Sequence, residues 1–265
     1  MPRLAMYQVD AFTDRIFAGN PAAVLVLGGE CLPDAVMQAI AAENNLAETA
    51  FASPGPGGAW KLRWFTPVHE AAFCGHATLA TAHVLAAEMG VEGELRFATA
   101  VGELVVGREA DAYVLDIPAF APQPLDPVPA VLTELFPLGW RAAFRNFENL
   151  FVELADEAAV RGFVPDLSRI ATLFPLGLCI TAPGERHDIV SRYFAPGAGI
   201  PEDPVTGSTH ATLVPHWAAR LGRTWLSACQ ASARGGELGC ELTGPRVRLR
   251  GRAATFMSAT IRLPD

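Results

Sequence analysis

The sequence predicts a duplicated α+β fold, on three observations. First, "FCGHATL" (Phe73–Leu79) and "EDPVTGSTHATL" (Glu202–Leu213) fall into ungapped register on Gly75 and Gly207. The register continues to Gly90 and Gly222, with Ala86-Ala87 on Ala218-Ala219 and Met89 on Leu221. Second, "WFTP" (Trp64–Pro67) answers "YFAP" (Tyr193–Pro196), with three extra residues in the second copy. Third, short strand-like runs ending in Gly or Pro flank each passage, a pattern of repeated strand units rather than of a helical bundle.

The elements follow in order. Before the first passage, "ETAFAS" and "KLRWF" alternate as a strand pair, and before the second "GLCITA" and "DIVSRYF" do the same. After the first come "ELRFATAVGELVV" and "AYVLDI"; after the second, "RVRLRG" and "TFMSATIRL". Between them lies the helix of each half. From Gly75 to Met89 only Glu88 is charged, so this helix lacks a polar face and is expected to be buried. The second helix carries Val214, Trp217, Ala218 and Leu221 at helical spacing, with Pro215 expected to kink it or start a new turn. Gly90 and Gly222 stand where left-handed C-caps belong. The Pro-rich stretch "IPAFAPQPLDPVP" (Ile117–Pro129) marks the seam. The expected lobes are residues 1–116, completed by a C-terminal strand at about 254–265, and residues 117–253.

Composition narrows the function. With 51% hydrophobic and 18% charged residues the chain is a compact globular protein, and a net charge of −8 without a basic patch argues against a nucleic-acid partner. The Arg cluster Arg246–Arg252 alternates with apolar residues, as a half-exposed strand does. No apolar run approaches the roughly 20 residues of a spanning helix, and no signal peptide is visible, so no membrane partner is expected. The five cysteines are scattered without a CxxC pair, which points away from disulfides and zinc and towards a reducing cytoplasm. The histidines lack HExxH-type spacing, so no metal is assigned.

The two glycine-headed helices are where chemistry is expected. A helix start presents unpaired N–H groups and partial positive charge, and glycine lets another group approach them. Paired by pseudo-symmetry, Gly75 and Gly207 would suit a carboxylate or a developing oxyanion. Either glycine alone reads as a tight turn; the matched pair beside "CGH" and "DPVTGS" reads as function. On residues alone the other candidates have plainer roles. Glu48 is a strand-end acid, His76 a helix cap, Asp203 a turn residue before Pro204, Ser208 an N-cap, and Asn20 in "GNPAAV" part of a turn.

A resemblance sharpens these choices. "YQVDAFTDRIFAGNPAAV", "NNLAETAF", "FTPVHEAAFCGHATLATAHVL" and "EDPVTGSTHATLVPHWAARLG" together resemble the PhzF family, isomerases related to the phenazine-biosynthesis enzyme and built on the diaminopimelate epimerase fold. The resemblance covers essentially the whole chain. It implies two pseudo-symmetric lobes of mostly antiparallel strands wrapped around central helices, an active site between them, a homodimer and no cofactor. It makes Glu48 the catalytic carboxylate, desolvated by Leu46, Ala47, Ala50 and Phe51 and so a better proton acceptor. His76 becomes a polar partner that binds substrate or helps move the proton, and Asp203 orients His76 or the substrate. Gly75, Gly207 and Ser208 hold the substrate carboxylate, and Asn20 lines the cleft.

One departure is informative. Diaminopimelate epimerase and its racemase relatives use a thiol ahead of each glycine helix, whereas this chain has Cys74 before Gly75 but Thr206 before Gly207. Two-base stereoinversion is therefore disfavoured. A Cys74–His76 nucleophilic dyad is expected to be poorly placed, since the residues are two apart at a helix start. The expectation is a cofactor-independent isomerase moving a proton and a double bond on a small carboxylate, similar to trans-2,3-dihydro-3-hydroxyanthranilate isomerase. An epimerase or racemase on the same fold, and a non-catalytic small-carboxylate binder, stay open.

Overall fold

The computed structural model describes residues 3–29 and 31–263. The last two positions of the expected C-terminal strand, 264 and 265, lie outside the described residues. The chain divides into two compact units, Met1–Asp116 with Arg250–Asp265, and Ile117–Leu249.

In the first unit β1 (Arg3–Ala11) turns back antiparallel onto β2 (Asn20–Val26). Helix α1 (Asp34–Asn44) then leads to β3 (Glu48–Pro54), which runs parallel to β2, and β4 (Trp60–Phe65) pairs antiparallel with β3. A short β5 (Glu70–Ala71) adds to β4. Helix α2 (Gly75–His83) follows and loosens into a π turn over Val84–Glu88. The unit continues with β6 (Leu95–Thr99), parallel to β4, and then β7 (Gly102–Glu109) and β8 (Ala112–Pro118), each antiparallel to the one before.

Strand alternation sorts this sheet into two faces. Ala23, Leu25, Phe51 and Phe65 point one way and pack with Met37, Ile40 and Ala41 of α1. Asn20, Ala22, Glu48, Ala50 and Trp64 therefore share the opposite face, against which α2 lies. Every residue of α2 from Gly75 to Ala82 is buried, which is what its all-round apolar sequence requires.

The second unit opens with β9 (Gln123–Pro124), α3 (Ala130–Leu135), β10 (Ala142–Arg145) and β11 (Asn149–Glu153). Short helices α4 (Glu157–Gly162) and α5 (Leu167–Ala171) precede β12 (Gly177–Pro183), β13 (Ile189–Ala195) and β14 (Ile200–Asp203). Helix α6 (Gly207–Leu221) leads into β15 (Trp225–Gln230), β16 (Gly236–Thr243) and β17 (Arg246–Gly251). Last, β18 (Ala253–Arg262) pairs antiparallel with β1.

The strand registers repeat. Ala22 faces Glu48 and Thr49 faces Phe65 in the first unit; Asn149 faces Gly177 and Leu178 faces Phe194 in the second. Gly177 thus stands where Glu48 stands, and Tyr193 where Trp64 stands. Leu150, Val152, Leu178, Ile180 and Phe194 pack with Leu132, Val160 and Ile170 of the short helices. The other face meets α6, where the Trp217 indole donates to Thr181 Oγ1 at 3.0 Å.

One expectation about the helices needs correcting. One helix per half was expected, yet α1 and α3–α5 cover the far faces of the sheets, because a sheet buried on both sides needs helices on both. Pro215 was expected to kink α6 or start a new turn, and it lies inside one helix that runs from Gly207 to Leu221. Proline leaves the Ala211 carbonyl without its helical donor, and the Phe120 N–H takes that place at 2.8 Å. Gly222 closes the helix in the left-handed conformation, φ 67°, as the sequence indicated. The Arg-rich strand β17 alternates buried and more exposed positions, also as read. All five cysteines are free, and no helix among the described residues is long and apolar enough to cross a membrane.

Candidate active site

The first unit brings Asn20, Glu48, Cys74 and His76 together. Asn20 begins β2 and Glu48 begins β3, and His76 is the second residue of the α2 helix that covers their face. Glu48 Oε2 lies 3.2 Å from His76 Nε2, with 13% and 5% of the two side chains exposed. Neither atom has a well-aligned hydrogen bond, so the contact is an ion pair with hydrogen-bonding capacity to spare. On the other side of the ring the Asn20 amide sits 3.1 Å from Nδ1. With that amide donating, the neutral imidazole keeps its hydrogen on Nε2, towards Glu48.

Burial works against a charged His76, while the neighbouring Cys74 and Glu48 work for it and prevail, holding the imidazole well above its ordinary 6.5. Burial, then the Glu48 charge, pushes the Cys74 thiol up to about 11. Glu48 is the carboxylate of this group, and its charge is one of the two contributions that favour the imidazolium.

Cys74 corrects one expectation. Its Sγ lies 3.5 Å from His76 Nδ1, within hydrogen-bonding range for sulfur. Helical spacing misjudged the pair because Cys74 is the extended N-cap, φ −147° and ψ 110°, and not a helical residue. The contact does not make a nucleophile, since the thiol stays protonated. It also changes the plainer reading of His76, which lies inside the helix and is not its cap.

In the second unit Asp203 ends β14 and is 7% exposed. Its Oδ2 accepts from the Thr206 hydroxyl at 2.5 Å. Gln230, fully buried on β15, braces this turn: its amide donates to the Asp203 carbonyl and accepts from the Thr206 N–H, both at 2.8 Å. Gly207 is the first helical residue and Ser208, partly exposed, the second. Thr206 and not Ser208 is the N-cap of α6, and Thr206 spends its hydroxyl on Asp203. Neither α2 nor α6 has a side-chain cap, which leaves first-turn amides available to an anion. The two first turns are also braced alike. Thr78 donates to the Cys74 carbonyl at 2.6 Å, and His210, held neutral by burial at about 4, meets the Thr206 carbonyl at 2.9 Å.

Residue reading missed Gln230, Tyr193 and Trp64. At Gly177, the counterpart of Glu48, an added Cβ would collide with the Tyr193 hydroxyl. That hydroxyl donates to Asn149 Oδ1 at 2.8 Å, and burial followed by the Asp203 charge pushes the phenol well above its usual range. A neutral phenol fills the place that the first unit gives to its carboxylate. The only signal in the sequence was a glycine where the repeat called for an acid.

The donor atoms of Glu48, Cys74 and His76 all lie within 4.8 Å of one another, close enough to raise the question of a metal. The thiol, however, lies against Nδ1 and the carboxylate against Nε2. One ion cannot sit along a single ring nitrogen and meet both. The donor set does not fit a metal.

Comparison with known proteins finds relatives over nearly the whole chain. A family model described as "Phenazine biosynthesis-like protein" matches residues 9–259. An uncharacterized isomerase of Pseudomonas aeruginosa is 47% identical over 261 residues, covering 98% of this chain and 99% of that protein. Among solved structures, a phenazine biosynthesis protein of the PhzF family from Enterococcus faecalis superposes with a TM-score of 0.93 at 44% identity, covering 99% of this chain and all of that one. A hydroxyproline epimerase from Agrobacterium vitis shares the fold alone, with a TM-score of 0.67 at 14% identity over 99% of this chain and 93% of that one.

Proposed function

Since the chain belongs to the PhzC–PhzF, phenazine biosynthesis-like, family, we propose that it is a cofactor-independent isomerase whose general base is Glu48. The observation that supports this most is the buried ion pair of Glu48 and His76, with a carboxylate oxygen left short of hydrogen bonds. Glu48 takes a proton from an sp³ carbon beside an unsaturated system. The electron pair shifts the double bond, and the protonated carboxyl returns its proton to the far carbon, so no proton is gained or lost overall. His76 lies against Glu48 and offers Nε2–H to the substrate. Asn20 acts on this reading through His76, by contacting the ring from its Nδ1 side.

The substrate class is a small carboxylate, with trans-2,3-dihydro-3-hydroxyanthranilate as the first compound to try. Roles for Asp203, Gly75, Gly207 and Ser208 in holding its polar groups rest on the family pattern, as does a homodimer, while a cytoplasmic location rests on the scattered cysteines. An epimerase reading needs a second proton acceptor. Thr206 replaces the second thiol and Cys74 is protonated, so the two-thiol mechanism has no support here.

The test is turnover in deuterated water. A single carboxyl shielded from solvent returns part of the original proton, giving incomplete deuterium at the new C–H, and Glu48→Gln loses about a hundredfold or more of the activity. Complete labelling in one turnover, or normal activity in Glu48→Gln, overturns the proposal.

A further inference from the structure

Buried polar atoms near the start of α2 that lack a well-aligned hydrogen bond among the described residues include Glu48 Oε2, His76 Nε2 and Trp64 Nε1. The first two face each other. Trp64 is unexplained by that pair. It is 1% exposed and lies opposite Ala50 in the β3–β4 register, so its side chain shares the face of Glu48, two residues back along β3. Phe73, the residue before Cys74, packs edge-on against the indole with centroids 6.1 Å apart. Buried N–H groups are almost always paired, because leaving one unmade is costly. A phenylalanine would fill much of the same space without that cost. The indole N–H therefore points to a partner that arrives with a ligand.

We infer that Trp64 is a substrate-binding residue whose indole N–H donates to an oxygen of the molecule that Glu48 deprotonates; the inference rests on the isomerase reading above. Indole nitrogen only donates, so its partner must be an acceptor, which excludes an ammonium group at this position. His76 Nε2–H is a second donor, and Glu48 is the acceptor facing the C–H. Two donors and one base call for a carbonyl or carboxylate oxygen conjugated to the acidic carbon. On such an oxygen negative charge grows as the proton leaves, and a donor placed there contributes most in the transition state.

Two measurements test it. Trp64→Phe keeps a ring and removes the N–H; kcat/KM for trans-2,3-dihydro-3-hydroxyanthranilate is expected to fall about tenfold or more, with the melting temperature unchanged or raised. In parallel, the indole N–H cross-peaks of the five 15N-labelled tryptophans are followed as 2-aminobenzoate or the substrate is added. The Trp64 peak is assigned by its loss in Trp64→Phe, or by elimination from the other four Trp→Phe variants should that one not fold. It is expected to move downfield on saturation in both wild type and Glu48→Gln. A Trp64 peak unmoved by either compound, or full kcat/KM in a folded Trp64→Phe, overturns the inference. Normal turnover in Glu48→Gln with a shifted Trp64 peak sinks the reaction proposed for Glu48 and leaves the binding role standing.

Discussion

Replacing Glu48 by glutamine tests the electrostatics of the site separately from its turnover, with His76 as the probe. At 3.2 Å the attraction between the two charges is about 5 kcal/mol at an effective dielectric near 20. Burying the pair opposes it by several kcal/mol per ion, so losing that one carboxylate charge shifts the balance. With Glu48 present the balance favours the imidazolium and His76 titrates well above 6.5. With glutamine the Glu48 charge is gone and burial is opposed only by the Cys74 contact, so His76 is expected to titrate lower than in wild type. The assay is a pH titration of His76 ring signals by NMR in wild type and variant. Stability carries the same sign. A raised folded value means the stabilisation is fully present below pH 6.5 and is lost as pH rises through that folded value. The variant should therefore be weaker than wild type near pH 6, by about 3 kcal/mol or less since His76 can shed its proton, and the gap should close towards higher pH. A wild-type His76 titrating below 6.5, or the same midpoint in both proteins, refutes the reasoning.

The remaining predictions concern residues at either side of that pair. Because the Cys74 thiol is protonated, Cys74→Ser should keep most of the activity, and iodoacetamide at neutral pH should leave Cys74 unmodified by peptide mass mapping. A loss on the scale of a missing catalytic base, about a hundredfold, would instead assign the thiol to the chemistry. Gly177→Ala should lower stability by about 1–3 kcal/mol through collision with Tyr193. Adding Tyr193→Ala should recover part of that loss, and strictly additive effects in denaturant melts would show the two residues to be independent.

Much of the fold was legible because its signals are periodic. The duplicated glycine-headed passages, the strand pairs and the Gly222 cap all leave marks within a dozen residues. Helices α3–α5 have five or six residues each, too few turns for a hydrophobic period to emerge, and they exist through packing rather than propensity. Helix α1 was legible in principle, with Asp34 in its first turn and Met37, Ile40 and Ala41 on one side. At the site, the resemblance picked out Glu48 and His76, while their meeting depends on a parallel β2–β3 register and a helix that starts above it. Such a register joins residues 26 apart and leaves no local trace. Trp64 and Tyr193 were hidden for the same reason: each looked like an apolar strand residue, and only the sheet shows what its polar atom faces.

The collision between Gly177 and Tyr193 also constrains how the two halves can change from here. An ancestor with matching halves could have carried a side chain at both positions 48 and 177. Once the tyrosine hydroxyl settled against position 177 and bonded to Asn149, any side chain returning there met an occupied space. A mutation restoring an acid at 177 is now harmful alone, and truncating Tyr193 first gives up the bond to Asn149 without recompense. Return of a side chain to position 177 needs both changes together, so the divergence there works as a ratchet that single substitutions do not reverse.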